Sequence, residues 1–214
     1  MIVTNPVTIT EEEILNLARA ARGKLTRIFL HWTAGRYGQA YDDYHLCIDE
    51  NGQVYSHCND LTEYKEHTWL RNHGSVAVSL CCGAEGRCWL PDNCNARTTK
   101  AEYAGEGDND PDAALIRFGP EPPTTDQIEV MAKVVAILCK GLGLPITKDT
   151  VSTHCEIALR DGYGPGSSDP YMKWDLWFLP DAMKDGLLVP GGPLLRGKAI
   201  FYQEMMKFQQ KLAC

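Results

Sequence analysis

Residues 75–82, Ser-Val-Ala-Val-Ser-Leu-Cys-Cys, make a continuous apolar run of strand length. Such a run lacks the in–out alternation of a half-exposed strand, so it belongs at the centre of a sheet covered on both faces. The neighbouring segments supply the covering layers. Thr10-Glu11-Glu12-Glu13 is a capping box that opens a helix to about Ala21, with Ile14, Leu17, Ala18 and Ala21 on one face. Arg27–Leu30 reads as a short buried strand, and Tyr44–Ile48 and Gln53–His57 flank an Asn51-Gly52 hairpin signal. Thr124-x-x-Gln127 opens the strongest helix, running to about Leu142 with Ile128, Met131, Val135 and Leu138 facing the core. Gly141, Gly143 and Pro145 stop it, and a strand over Val151–His154 follows. This order predicts an α/β fold: a central mixed β-sheet with helices on both sides.

Other segments carry weaker signals. Residues 84–123 are rich in Gly, Pro, Asp and Asn and read as a long surface loop insertion. Residues 172–180, with Trp174, Trp177 and Phe178 around Asp175, read as a short helix closing the core. Pro190-Gly191-Gly192-Pro193 reads as a break before an amphipathic helix from about Lys198 to Leu212. No stretch has the length of a membrane span, and a net charge of −7 disfavours nucleic acid as a partner. Met1–Pro6 has neither a basic nor an apolar leader region, which predicts cytoplasmic synthesis without a signal peptide. The nine cysteines are expected to be reduced. Cys81, Cys82, Cys88 and Cys94 lack the paired spacing of a structural zinc module, so a second metal or a loop disulfide there is the lesser reading.

Three residues stand out chemically. His31 and His154 each end a short β-branched or aromatic run, and Asp169 lies on the loop Gly164-Pro165-Gly166-Ser167-Ser168-Asp169-Pro170. Two imidazoles and a carboxylate leave a tetrahedral zinc ion one open position, as catalytic sites require. A histidine at a strand end is equally at home as a hydrogen-bonded core residue, so the wider pattern decides. His31-Trp32-Thr33-Ala34-Gly35, Asp43–Gly52, His67-Thr68-Trp69 with Asn72–Val78, Thr153–Glu156, and Asp169-Pro170 with Trp174–Trp177 occur in one order. Together they resemble the zinc-dependent N-acetylmuramoyl-L-alanine amidases, a family that includes phage lysozyme-type amidases and peptidoglycan recognition proteins.

The resemblance implies a Zn2+ cofactor, peptidoglycan or muropeptides as substrate, and His31, His154 and Asp169 as metal ligands. Tyr44 falls where a hydroxyl orients water or carbonyl, or else is an aromatic packed in the core. His67 falls near a groove histidine, as an oxyanion contact or a plain loop residue, and Trp69 and Asn72 are candidate substrate contacts. Glu156 either orients His154 from behind or caps the following turn. Two departures stand out: Ser79 replaces a common glutamate, and Ser167 lies two residues before Asp169, where relatives often have a lysine before the last ligand. We expect residues 1–190 to form the catalytic domain and 191–214 a helical extension packed on it, or pairing two copies as a homodimer. The activity expected is cleavage of the N-acetylmuramic acid–L-alanine amide in a phage-type lytic role; a non-cleaving muropeptide-recognition module of the same fold is the alternative.

Overall fold

The computed structural model describes residues 1–212; the last cysteine, Cys214, lies outside the described residues. In chain order the elements are β1 (Val7–Thr8), α1 (Glu11–Ala20), β2 (Arg27–Trp32), β3 (Leu46–Ile48), β4 (Val54–Ser56) and β5 (Ser75–Leu80). There follow β6 (Arg87–Trp89), β7 (Ala101–Tyr103), β8 (Ala114–Arg117), α2 (Thr125–Leu142), β9 (Val151–Thr153) and α3 (His154–Asp161). The chain closes with β10 (Phe178–Pro180), β11 (Leu188–Pro190) and α4 (Gly191–Leu212).

Six strands form the central sheet in the order β1-β4-β3-β5-β2-β9. β3, β5, β2 and β9 run parallel, and the β3–β4 and β4–β1 pairs are antiparallel, so the sheet is mixed as expected. β5 occupies the interior and all six of its residues are buried. Alternation along β2 sorts its side chains. Ile28, Leu30 and Trp32 join Val76, Val78 and Leu80 of β5 in the main core, which α1 and α2 cover. α4 lies against α2, where Lys198 and Tyr202 both bind the Glu129 carboxylate. Phe29 and His31 point to the opposite face; α3 and the loop before β5 bring His154 and His67 against it.

Three of the four helices open on the same device. Thr10 with Glu13, Thr124 with Gln127, and Thr153 with Glu156 each form a reciprocal capping box that satisfies two end amides. Gln127 does more: its buried Nε2 donates to the carbonyls of Ile48 and Cys81, both at 3.1 Å, fastening α2 to the ends of β3 and β5.

Four expectations are corrected. His154 does not end a strand but is the first residue of α3, because the Thr153 hydroxyl caps it. Residues 172–180 do not form a helix; they make a turn leading into β10, which pairs with β11. α4 begins at Gly191, not near Lys198, with Pro193 in the first turn where no amide donor is needed. The 84–123 segment is more than loop: β6, β8 and β7 form a three-stranded sheet that buries Ala114, Ile116 and Phe118.

Candidate active site and metal centre

β2 carries His31 near its C-terminal end, behind a groove of about 1070 Å³ that His154 and Asp175 line, and the α3 cap turns His154 towards it. The two rings meet edge to face with centroids 4.8 Å apart. Between them lies Asp175, from the turn before β10. Its Oδ2 is 3.2 Å from His31 Nδ1 and 3.3 Å from His154 Nδ1. All three side chains are buried, and their ligand atoms lie within 4.8 Å of one another.

Asp169, expected as the third ligand, is not in this group. It lines the same groove, but its Oδ1 accepts the Tyr171 amide at 2.8 Å in a local turn. The physical reason is burial. Asp169 is half-exposed on a Gly/Ser loop, where a carboxylate is solvated without help, whereas Asp175 is fixed between Trp174 and Leu176 inside the wall. A carboxylate held there needs a counter-charge or a coordinated metal. Leu176 even takes a left-handed backbone, φ 58°, a conformation costing a non-glycine residue roughly 1–2 kcal/mol.

The electrostatics follow from enclosure. Burial pushes the His31 pKa down to about 4, with Asp175 opposing and His154 adding to the fall. Burial alone would raise the Asp175 carboxyl, but His154 and His31 outweigh it and hold the group below the usual carboxylate range. The His31 imidazole is therefore neutral and the Asp175 carboxylate charged at neutral pH, the protonation state metal ligands require. His154 Nε2 is buried without a hydrogen-bond partner among the described residues. The two nitrogen–oxygen separations, 3.2 and 3.3 Å, also fit zinc: bonds of 2.0–2.1 Å at a tetrahedral centre separate ligand atoms by about 3.3–3.4 Å. Two nitrogens, one oxygen and an open side towards the groove are a suitable donor set for that ion.

The other expected residues divide. Tyr44 packs its ring 5.2 Å from His31, lines the groove and donates its hydroxyl to the Trp32 carbonyl at 3.3 Å. Burial, reinforced by Asp175, raises its phenol pKa. Trp69 is 65% exposed on the groove rim, free to stack on a ligand. Asn72 lines the groove, but its Oδ1 is occupied by the amides of His67 and Thr68 at 3.2 and 2.7 Å. His67 is buried, and both ring nitrogens face protein hydroxyls, Thr68 Oγ1 at 3.0 Å and Ser75 Oγ at 3.4 Å. Burial, then the neighbouring histidines, pushes its pKa down to about 2. Glu156 does not reach His154. It caps α3 and forms a two-pronged pair with Arg196 of α4 at 2.7 and 2.9 Å.

Two groove residues that the sequence reading does not single out, Asp175 and Lys173, each carry a sequence signal. Asp175 is the one charge in Trp174-Asp175-Leu176-Trp177-Phe178-Leu179, a run that buries whatever it contains. Counting two residues back from Asp175 gives Lys173, not Ser167, and Lys173 lines the groove.

A mixed sheet that offers two histidines and an aspartate to an aromatic-rimmed groove belongs to the hydrolases with a cation-ready centre. The sequence profile of the N-acetylmuramoyl-L-alanine amidases matches residues 21–171, and the chain belongs to that family. The matched span includes His31 and His154 and ends four residues short of Asp175. No curated protein matches the chain at a significant level. Peptidoglycan is the substrate class that goes with the family, and no helix among the described residues is long and apolar enough to cross a membrane.

Proposed function

We propose that the chain hydrolyses the N-acetylmuramic acid–L-alanine amide in a zinc-dependent reaction centred on His31, His154 and Asp175. The observation that carries this reading is the buried approach of both Nδ1 atoms to one carboxylate oxygen, at 3.2 and 3.3 Å, at the floor of the groove. Bound there, zinc supplies a Lewis acid that polarises a carbonyl and makes water acidic enough to deprotonate near neutral pH. The chain's own groups supply the rest. Trp69 and Tyr171, 65% and 79% exposed, flank the groove and give a sugar or peptide apolar faces to lie against. Tyr44 closes the floor beside His31 and keeps bulk water from that side of the ring. Lys173 brings an ammonium to the groove, where it stabilises negative charge developing on the carbonyl oxygen.

The resemblance to phage lysozyme-type amidases supports a lytic role, with action on the wall after release from the cytoplasm. Digestion of purified walls tests the reading. It predicts new free L-alanine amino groups without new reducing ends, loss of activity with a chelator, and recovery with zinc. Binding of muropeptides without release of amines would leave the recognition module as the better account.

A further inference from the structure

Thr68 stands between two imidazoles. Its Oγ1 is 3.2 Å from His31 Nε2 and 3.0 Å from His67 Nδ1, and all three residues are buried. Beyond His67, Nε2 is 3.4 Å from Ser75 Oγ, which lies 2.8 and 3.0 Å from the carbonyls of Asn72 and Arg71.

The far end fixes the direction of every proton in this chain. Carbonyls only accept, so the Ser75 hydroxyl donates to them and can only accept from His67. His67 therefore carries its proton on Nε2. No carboxylate bonds either of its nitrogens among the described residues, so the ring is neutral and Nδ1 holds a lone pair. Thr68 donates to that lone pair and accepts from His31 Nε2–H. His31 is left with a lone pair on Nδ1, aimed at the Asp175 oxygen 3.2 Å away. Two acceptors that close repel one another unless a positive charge lies between them.

We propose that Thr68, His67 and Ser75 form a one-way hydrogen-bond relay that locks His31 as the Nε2–H tautomer, holding Nδ1 open for the cation. They are positioning residues: none ligates, and their effect passes through His31. The inference rests on the zinc reading above. The loop that carries His67 and Thr68 is braced for the task. Asn72 Oδ1 accepts the His67 and Thr68 amides, and Arg71 grips Asp161 at the end of α3 with two bonds of 2.7 and 2.8 Å.

The test is zinc affinity of the full chain, measured by competition with a chromophoric chelator, for wild type, Thr68→Val and Thr68→Ser. Valine keeps the shape and removes the hydroxyl; serine keeps the hydroxyl. A lost supporting partner typically weakens metal binding about 10–100-fold, so T68V should fall in that range while T68S stays within roughly threefold of wild type. Long-range proton–nitrogen spectra of the imidazoles in wild type decide the matter even if T68V fails to fold. They should place a proton on Nε2 of His67 and, with zinc, on Nε2 of His31. Zinc binding by T68V at wild-type strength, or a His67 proton on Nδ1, overturns the relay alone. Failure of the wild type to bind zinc overturns the metal reading and the relay with it.

Discussion

Asp175 is a full carboxylate set among Trp174, Leu176 and Trp177, with one oxygen 3.2 and 3.3 Å from the Nδ1 atoms of His31 and His154. This makes the two aspartates of the groove experimentally separable. Asp175→Asn should weaken zinc by more than the roughly 10–100-fold of a supporting residue, because a ligand itself is lost. Asp169→Asn should leave zinc affinity within roughly threefold, since the Tyr171 amide can still bond an amide oxygen. Titration calorimetry with zinc reads both. Lys173 makes a different prediction: Lys173→Met should lower kcat by about 10²–10³ while zinc affinity holds, the pattern of a lost charge-stabilising group. At this scale the sequence was legible where a residue's type and its neighbours agreed. His31 and His154 end apolar runs that have to be buried, so their convergence could be read in advance. Asp169 rests on ligand type and on the resemblance of Asp169-Pro170 to the family's closing segment, and an Asp-Pro pair on a Gly/Pro loop describes a turn equally well. The better signal was a lone charge inside an apolar run, and it lay six residues on.

At the level of elements, the site depends on how closely α4 approaches the turn that holds Asp175. A Cβ on Gly191 would lie 2.2 Å from the Leu176 carbonyl oxygen, and one on Gly192 would lie 2.5 Å from the Glu156 carboxylate. The glycines are there for contact with backbone and cap, and Pro193 follows in the first turn. Gly191→Ala should therefore cost about 1–3 kcal/mol of stability, the usual range for overpacking, measured by urea unfolding. Because the displaced carbonyl adjoins Asp175, zinc affinity should fall as well; an unchanged affinity would show that the turn does not transmit the strain. The Glu156–Arg196 pair bridges α3 and α4 at this same corner, which is why Glu156 belongs to the scaffold and not to the ligands. Thr153-x-x-Glu156 was a readable capping box, yet the strand-like Val151-Ser152-Thr153 before it masked the change of period. The Pro-Gly-Gly-Pro segment misled for a related reason. Those residues break helices in general, but here they begin one, where missing donors and close approach are tolerated.

For the whole molecule, the order of apolar runs and caps was enough to give the mixed sheet, its buried β5 and the α2 layer. What it could not give was the three-stranded sheet within 84–123, whose strands of three or four residues are too short for periodicity to register. Metal binding should be coupled to the stability of this entire fold, since the proposed ligands come from β2, α3 and the turn before β10. A ligand that binds only the folded state stabilises it by about 2.7 kcal/mol at a hundredfold excess over its Kd. Zinc should thus raise the melting temperature by several degrees, a chelator should reverse the rise, and D175N should show neither change.

A crystal structure of the zinc-soaked chain, with diffraction recorded on both sides of the zinc absorption edge, decides whether these three residues hold the ion. One anomalous peak is expected within about 2.0–2.2 Å of His31 Nδ1, His154 Nδ1 and an Asp175 oxygen. A peak bonded to Asp169 with Asp175 turned away, or the absence of any peak between the two histidines, would contradict it.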